Sequence, residues 1–172
     1  MKAIRPHRLL FVCTANICRS PMAEGLAEGY AGDRGWPIEV ASGGVMGLIG
    51  RPADPHAVKV MGELGLDISG HRSQGVEQEL VDWADYILVM ELRHQMKLHE
   101  RFPQVEGRVL MLGSFGGIHE VRDPIGGWRW RFRKSRDELR RCVEGFMDRL
   151  PPPRVVESPP ASESTGEASS EE

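Results

Sequence analysis

The chain opens on MKAIRPHRLLFVC, where the apolar run is only about five residues long. That is too short for a signal-peptide core or a membrane span, so neither a leader nor membrane attachment is expected. Cysteine is scarce. Three in 172 residues cannot make a disulfide framework, and a reducing cytoplasm is the natural compartment for them. The body also lacks an excess of either charge. From Pro151 the sequence reads PPPRVVESPPASESTGEASSEE, with five acids and one arginine. Of the chain's 22 basic and 25 acidic residues, this leaves 21 and 20 in 1–150. The net charge of −3 is therefore a property of the tail, and any electrostatic preference of the body must be local. The same tail has no aromatic residue and only two Val and two Ala. It cannot bury enough apolar surface to offset ordering entropy. Residues 1–150 read as one domain and 151–172 as a disordered acidic tail. The six histidines show no ligand spacing with cysteines or acids, so no metal and no cofactor are expected. There is no internal repeat.

What is present is an alternation of short strands and helices. RLLFVC at 8–13 is a continuous apolar run that reads as a buried strand. Ser20-Pro21 supplies a cap-type residue and a proline suited to a first helical turn, and Met22, Leu26 and Tyr30 share one helix face. PIEVA at 37–41 predicts a second strand, followed by a loop from Gly43-Gly44 to Gly50. Asp54-Pro55 repeats the cap-plus-proline signal before a stripe of Val58, Met61 and Leu64 that ends at Gly65. A helix over about Val76–Ala84, a strand at 86–90, a helix from Leu92 to about Phe102 and a strand at 108–112 follow. Leu139, Val143, Phe146 and Leu150 mark a last helix. The pattern argues for an α/β domain with a parallel sheet and right-handed crossovers, in which ligands bind beyond the carboxyl ends of the strands.

The segment Cys13-Thr14-Ala15-Asn16-Ile17-Cys18-Arg19-Ser20 lies at that place, straight after the first strand and at the mouth of a helix. Backbone N–H groups of such a loop converge to form an anion nest. Arg19 adds a planar fork that matches two phosphoryl oxygens. The positive field favours the Cys13 thiolate, a nucleophile held in line with bound phosphate. A plainer reading makes the two cysteines packing residues and Arg19 a surface cation, but the whole pattern in this context points to phosphate. Cys142, beside Leu139, Val143 and Phe146, reads as core.

The segment FVCTANICRSPMAEGL resembles the signature of the low-molecular-weight protein tyrosine phosphatases. The likeness continues through Ala41-Ser42-Gly43-Gly44, Pro55-His56-Ala57-Val58, Leu66-Asp67-Ile68-Ser69, His71, Ala84-Asp85 and Asp123-Pro124 to Arg136-Asp137-Glu138-Leu139. It covers about 8–150. The resemblance implies a four-stranded parallel sheet with helices on both faces and hydrolysis of protein phosphotyrosine through a phosphocysteine on Cys13. It makes Asp123 the general acid and then base, and Asn16, Ser20, Ser42 and His71 a supporting network. The expected partner is a phosphorylated protein rather than a nucleic acid or a membrane. Taken alone, Asp123-Pro124 would be an ordinary turn. Cys18 invites a redox reading, as the disulfide partner of an oxidised Cys13, or simply packs.

Four departures from the family pattern bear on function. Ala15 replaces a usual glycine and would be strained if that position needs positive φ. Ile17 favours phosphotyrosine, since members with Thr there are similar to protein-arginine phosphatases. Met46, Leu48, Ile49 and Ile125 give an aliphatic cleft where aromatics are usual. Trp128-Arg129-Trp130-Arg131-Phe132-Arg133-Lys134 is either a basic aromatic rim for an anionic partner or a solvated helix start. Arginine phosphatase activity is the alternative within the fold. Arsenate reduction would need resolving cysteines in 80–107, which holds none. A phosphate-binding or redox module without turnover is the alternative outside enzymes, and Asp123 argues against it.

Overall fold

The computed structural model describes residues 2–157. Its centre is a parallel sheet of β2 (His7–Cys13), β3 (Ile38–Gly44), β4 (Tyr86–Val89) and β5 (Val109–Met111), in the order β3-β2-β4-β5. The strands are continuous apolar runs because both of their faces are covered, as parallel sheets require. Leu9, Phe11 and Cys13 of β2 face one apolar cluster, packed by α1 (Arg19–Gly32), α2 (Pro55–Gly62) and α5 (Arg129–Met147). Leu10 and Val12 face the other, packed by α3 (Gln78–Trp83) and α4 (Leu92–Arg101). The expected architecture of a four-stranded parallel sheet with helices on both faces is the one observed. Among the described residues no helix is long and apolar enough to cross a membrane.

β2 pairs with β3 through Cys13↔Gly44 and with β4 through Val12↔Val89. That register brings the carboxyl ends of three strands, and the residues just after them, to one edge. The expected loop at 43–50 therefore begins later than its glycines suggest, because Gly43 and Gly44 complete β3. A Cβ on Gly44 would lie 2.7 Å from the Thr14 carbonyl oxygen and 3.0 Å from the Asn16 nitrogen. Glycine there lets β3 run directly beneath the loop that follows β2.

The tail boundary needs correction. Arg154–Glu157, expected to be disordered, forms β6, antiparallel to β1 (Lys2–Arg5), with Lys2↔Glu157 and Arg5↔Arg154 in register. Both segments are short, and each finds its partner some 150 positions away, so neither carries a local signal. The rest of the expected tail, 158–172, lies outside the described residues. Ser20 is corrected too. α1 begins at Arg19, and its N-cap is Cys18, with no side-chain cap. The Ser20 hydroxyl bonds elsewhere, as described next.

Candidate active site

Residues 13–20 form a tight loop from β2 into α1. No backbone N–H from Thr14 to Ser20 donates to a protein acceptor among the described residues. Together with the uncapped start of α1, this leaves a run of donors at the positive end of a helix, the arrangement that binds anions. The left-handed position in the loop is Asn16, at φ 59°, which is the one non-glycine residue with positive φ among those described. Ala15 is therefore unstrained, and the loss of glycine there has no conformational cost. Asn tolerates this region better than most residues, and here the rest of its side chain holds it.

Asn16 is fully buried. Its Nδ2 donates to Ser20 Oγ at 2.7 Å and to Ser42 Oγ at 2.9 Å, and its Oδ1 accepts from Gln74 N at 3.0 Å. Ser20 Oγ lies 3.0 Å from Cys13 Sγ. Since Ser20 already accepts from Asn16, its own proton is free to point at the sulfur. The Ser42 hydroxyl donates a hydrogen bond to Glu24, whose carboxyl is pushed up by burial. His71 Nε2 donates to the Asn16 carbonyl at 2.7 Å, and burial pushes the ring toward its neutral form. The structure thus brings Asn16, Ser20, Ser42 and His71 into one network behind Cys13. It adds two members that the sequence reading missed, Glu24 and Gln74.

Arg19 is 1% exposed and points into the loop. Its Nη1 is held by Glu91 and by the Val121 carbonyl at 2.7 Å. Its Nη2 makes only long contacts, 3.3 Å to Asp123 Oδ2 and 3.4 Å to Thr14 Oγ1. One edge of the guanidinium is anchored, and the other remains available to two oxygens of an anion. Asp123 is fixed at its other oxygen by Ile125 N at 3.1 Å, and the turn closes through Gly127 N to the Pro124 carbonyl at 3.0 Å. The Asp-Pro turn is thereby both a turn and the wall opposite Arg19.

The larger omission from the sequence reading is the start of α4. Glu91 caps that helix and also pairs with Arg19 and Arg93. Burial works against its charge, but hydrogen bonds from Arg93 and Arg19 outweigh this and hold its carboxyl at about 2. His94 Nδ1 accepts from Glu91 N at 3.2 Å, so its Nε2 carries the proton donated to Thr14 Oγ1 at 2.9 Å. A signal existed: Glu91 directly follows the apolar run at 86–90, and a His sits three positions on. Burial, and then Arg19, push His94 down to about 4 from an ordinary 6.5. The unfolded chain takes up a proton at this residue before the folded one does. The associated stability is full above pH 6.5 and lost as pH falls toward 4. Wild-type protein is expected to lose on the order of 2–3 kcal/mol more than His94→Gln over that range. Urea titrations at stepped pH would show parallel curves if the idea is wrong.

Cys13 and Cys18 are both buried free thiols, as is Cys142 in the core. Burial, followed by the Asp54 and Asp123 carboxylates, pushes the Cys18 thiol up and keeps it protonated. Ile17 is half-buried against the apolar cluster under α1, and its carbonyl accepts from Asp54 N at 2.8 Å. Met46, Ile49 and Ile125 are exposed. Trp130 lines a cleft together with Asp123 and Pro124.

Residues 8–154 match the family model described as low molecular weight phosphotyrosine protein phosphatase. The chain is 38% identical over 148 residues to a protein-arginine-phosphatase of Geobacillus stearothermophilus, covering 84% of this chain and 97% of that one. It is 37% identical over 131 residues to the low molecular weight protein-tyrosine-phosphatase Wzb of Escherichia coli K12, covering 76% and 82%. Among solved structures, the low molecular weight protein tyrosine phosphatase of T. tengcongensis superimposes with a TM-score of 0.80 at 35% identity. That match covers 84% of this chain and 99% of the other.

Proposed function

Because this chain belongs to the low molecular weight phosphotyrosine protein phosphatase family, we propose that it hydrolyses protein phosphotyrosine, with Cys13 as nucleophile and Asp123 as acid and base. The observation that carries this is the loop itself: free N–H groups from Thr14 to Ser20 around Cys13, with one edge of a buried Arg19 turned toward them.

The phosphoryl group sits in the nest with its oxygens on the loop amides and on the free edge of Arg19. The Cys13 thiolate attacks phosphorus from below, and an S–P bond forms as the P–O bond to the substrate breaks. Asp123 gives its proton to the departing phenoxide. The resulting carboxylate then takes a proton from water, whose oxygen attacks phosphorus. The S–P bond breaks, and inorganic phosphate and the thiolate are released. Little covalent work falls to the protein beyond this. Positioning and charge stabilisation carry the rest, which is why donors fixed before substrate arrives matter. A Cys13 sulfenic acid formed by peroxide would condense with the Cys18 thiol, five positions on, releasing water and leaving a reducible disulfide.

Relatives named for phosphotyrosine and for phosphoarginine are about equally similar. Ile17 supports the first reading. A half-buried isoleucine at the lip of the nest offers an aromatic ring an apolar surface and offers a guanidinium no hydrogen bond. Wild type is expected to favour a phosphotyrosine peptide over the matching phosphoarginine peptide. Ile17→Thr should move that preference toward phosphoarginine by about tenfold, the value of one hydrogen bond to a charged group. Equal ratios of kcat/KM for the two proteins would sink the role of Ile17. A wild-type preference for phosphoarginine would reverse the substrate assignment.

A further inference from the structure

We propose that the start of α5 docks acidic residues flanking the phosphorylated residue of the substrate, an inference that rests on the phosphatase reading above. A cleft of about 130 Å³ opens beside Asp123, lined by Arg122, Trp130, Arg131, Lys134, Ser135 and Glu138. Asp123 is its common wall with the phosphate loop, since the same side chain lies 3.3 Å from Arg19. A side chain one or two positions from a phosphorylated residue in the loop falls within its reach, at roughly 3.3 Å per extended residue.

The charge at this place is unbalanced. Arg122, Arg129, Arg131 and Lys134 are exposed, and none lies within ion-pair distance of a carboxylate among the described residues. Arg133 and Arg136, on the same helix, are both tied to Glu63. Folding does not explain the unpaired four. The first turn of α5 has no acid, and cations at a helix N-terminus oppose the macrodipole. Two large apolar surfaces are exposed beside them, Trp128 at 78% and Trp130 at 60%. Tryptophan and arginine together are the residue types that dominate binding surfaces. Arg131 lies over the Trp130 ring, 5.9 Å from its centroid, and its stem rests on Gly127, where a Cβ would collide with it. The cleft wall is thus packed rather than loose.

Ser135 lines the cleft, is 4% exposed, and its Oγ has no hydrogen-bond partner among the described residues. A buried orphan hydroxyl is costly and rare, and a carboxylate seated among Arg122, Arg131 and Lys134 would supply its acceptor. The chain's own acidic tail is the competing occupant. It leaves β6 at Glu157 beside Lys2, beyond the amino end of β2 and hence away from Cys13. A substrate acid is already adjacent once its phosphate is bound.

The test compares two phosphotyrosine peptides that differ only in flanking Glu or Gln. Both are measured on the full chain at low salt. Wild type is expected to favour the acidic peptide about fivefold in kcat/KM, and the Arg131→Gln/Lys134→Gln protein not at all. Any general effect of the variant cancels in the ratio, and Arg131→Lys should keep most of it. Affinities of both peptides for the Cys13→Ser protein give the same ratio without turnover. If wild type cleaves neither peptide the phosphatase reading fails, while the affinity ratio still judges the cleft. A wild-type ratio near one, or a ratio that survives the double substitution, overturns the proposal. So does a ratio that emerges only when Glu163, Glu167, Glu171 and Glu172 are all changed to Gln, since that assigns the cleft to the tail.

Discussion

Cys13→Ser is expected to lower turnover of p-nitrophenyl phosphate by at least about ten-thousand-fold, the scale of losing a nucleophile that works as part of a unit. A serine hydroxyl in this loop has no base to deprotonate it. Its nearest polar neighbour, Ser20, is already committed to accepting from Asn16. The anion nest does not depend on sulfur, so the variant should still bind phosphate or vanadate. Asp123→Asn is the informative contrast. It keeps the turn, because the oxygen that accepts from Ile125 N survives, but it cannot transfer a proton. A loss of about 10² to 10⁴ is expected, largest for poor leaving groups. Substantial turnover by Cys13→Ser under reducing conditions would remove Cys13 from the mechanism.

Glu91→Gln is expected to destabilise the fold by about 3 kcal/mol and to depress kcat/KM as well. Arg19 is a buried cation whose charge is balanced by Glu91 and, at a longer 3.3 Å, by Asp123. Removing the nearer partner leaves the guanidinium underpaired in a site where it cannot reach water. Its remaining attraction is toward Asp123, which would draw both away from substrate. The pH dependence gives a signature. Glu91 sits at about 2 in the folded protein against an ordinary 4.5. Its stabilisation is therefore present above pH 4.5 and lost as pH falls through 2. That part of the acid limb should be missing from the variant. Denaturation midpoints within error of wild type at pH 7, with unchanged slope, would show that Asp123 alone balances Arg19. Glu91→Asp should recover part of both effects.

The contiguous part of the site was legible. Cys13, Arg19 and the loop between them are seven successive residues, and their placement after a strand and before a helix follows from the apolar run and Pro21. Asp123 was recognisable only by resemblance, because an Asp-Pro turn has no chemistry of its own. Glu91, His94, Glu24 and Gln74 were not seen. Each is an ordinary polar residue in the sequence: Glu91 and His94 join the site through strand register, which sets the end of β4 level with Val12, and Glu24 and Gln74 join through their bonds to Ser42 and Asn16. The Ser20 cap was misread for a related reason. The residue fits a cap by type, but the sulfur and Asn16 compete for its hydroxyl and win. β1 and β6 were missed because four-residue strands pairing across the whole chain leave no periodicity to read.

That terminal ribbon has a mechanical consequence. Lys2 stands opposite Glu157, so a load applied between the two ends meets the ladder at its last rung. The four register pairs open one after another, as a zipper does, rather than sharing the strain in shear. The ribbon would part at low force while β2 stays bonded to β3 and β4. A molecule tethered by its ends would thus lengthen first at the edge farthest from Cys13, with the phosphate loop still intact.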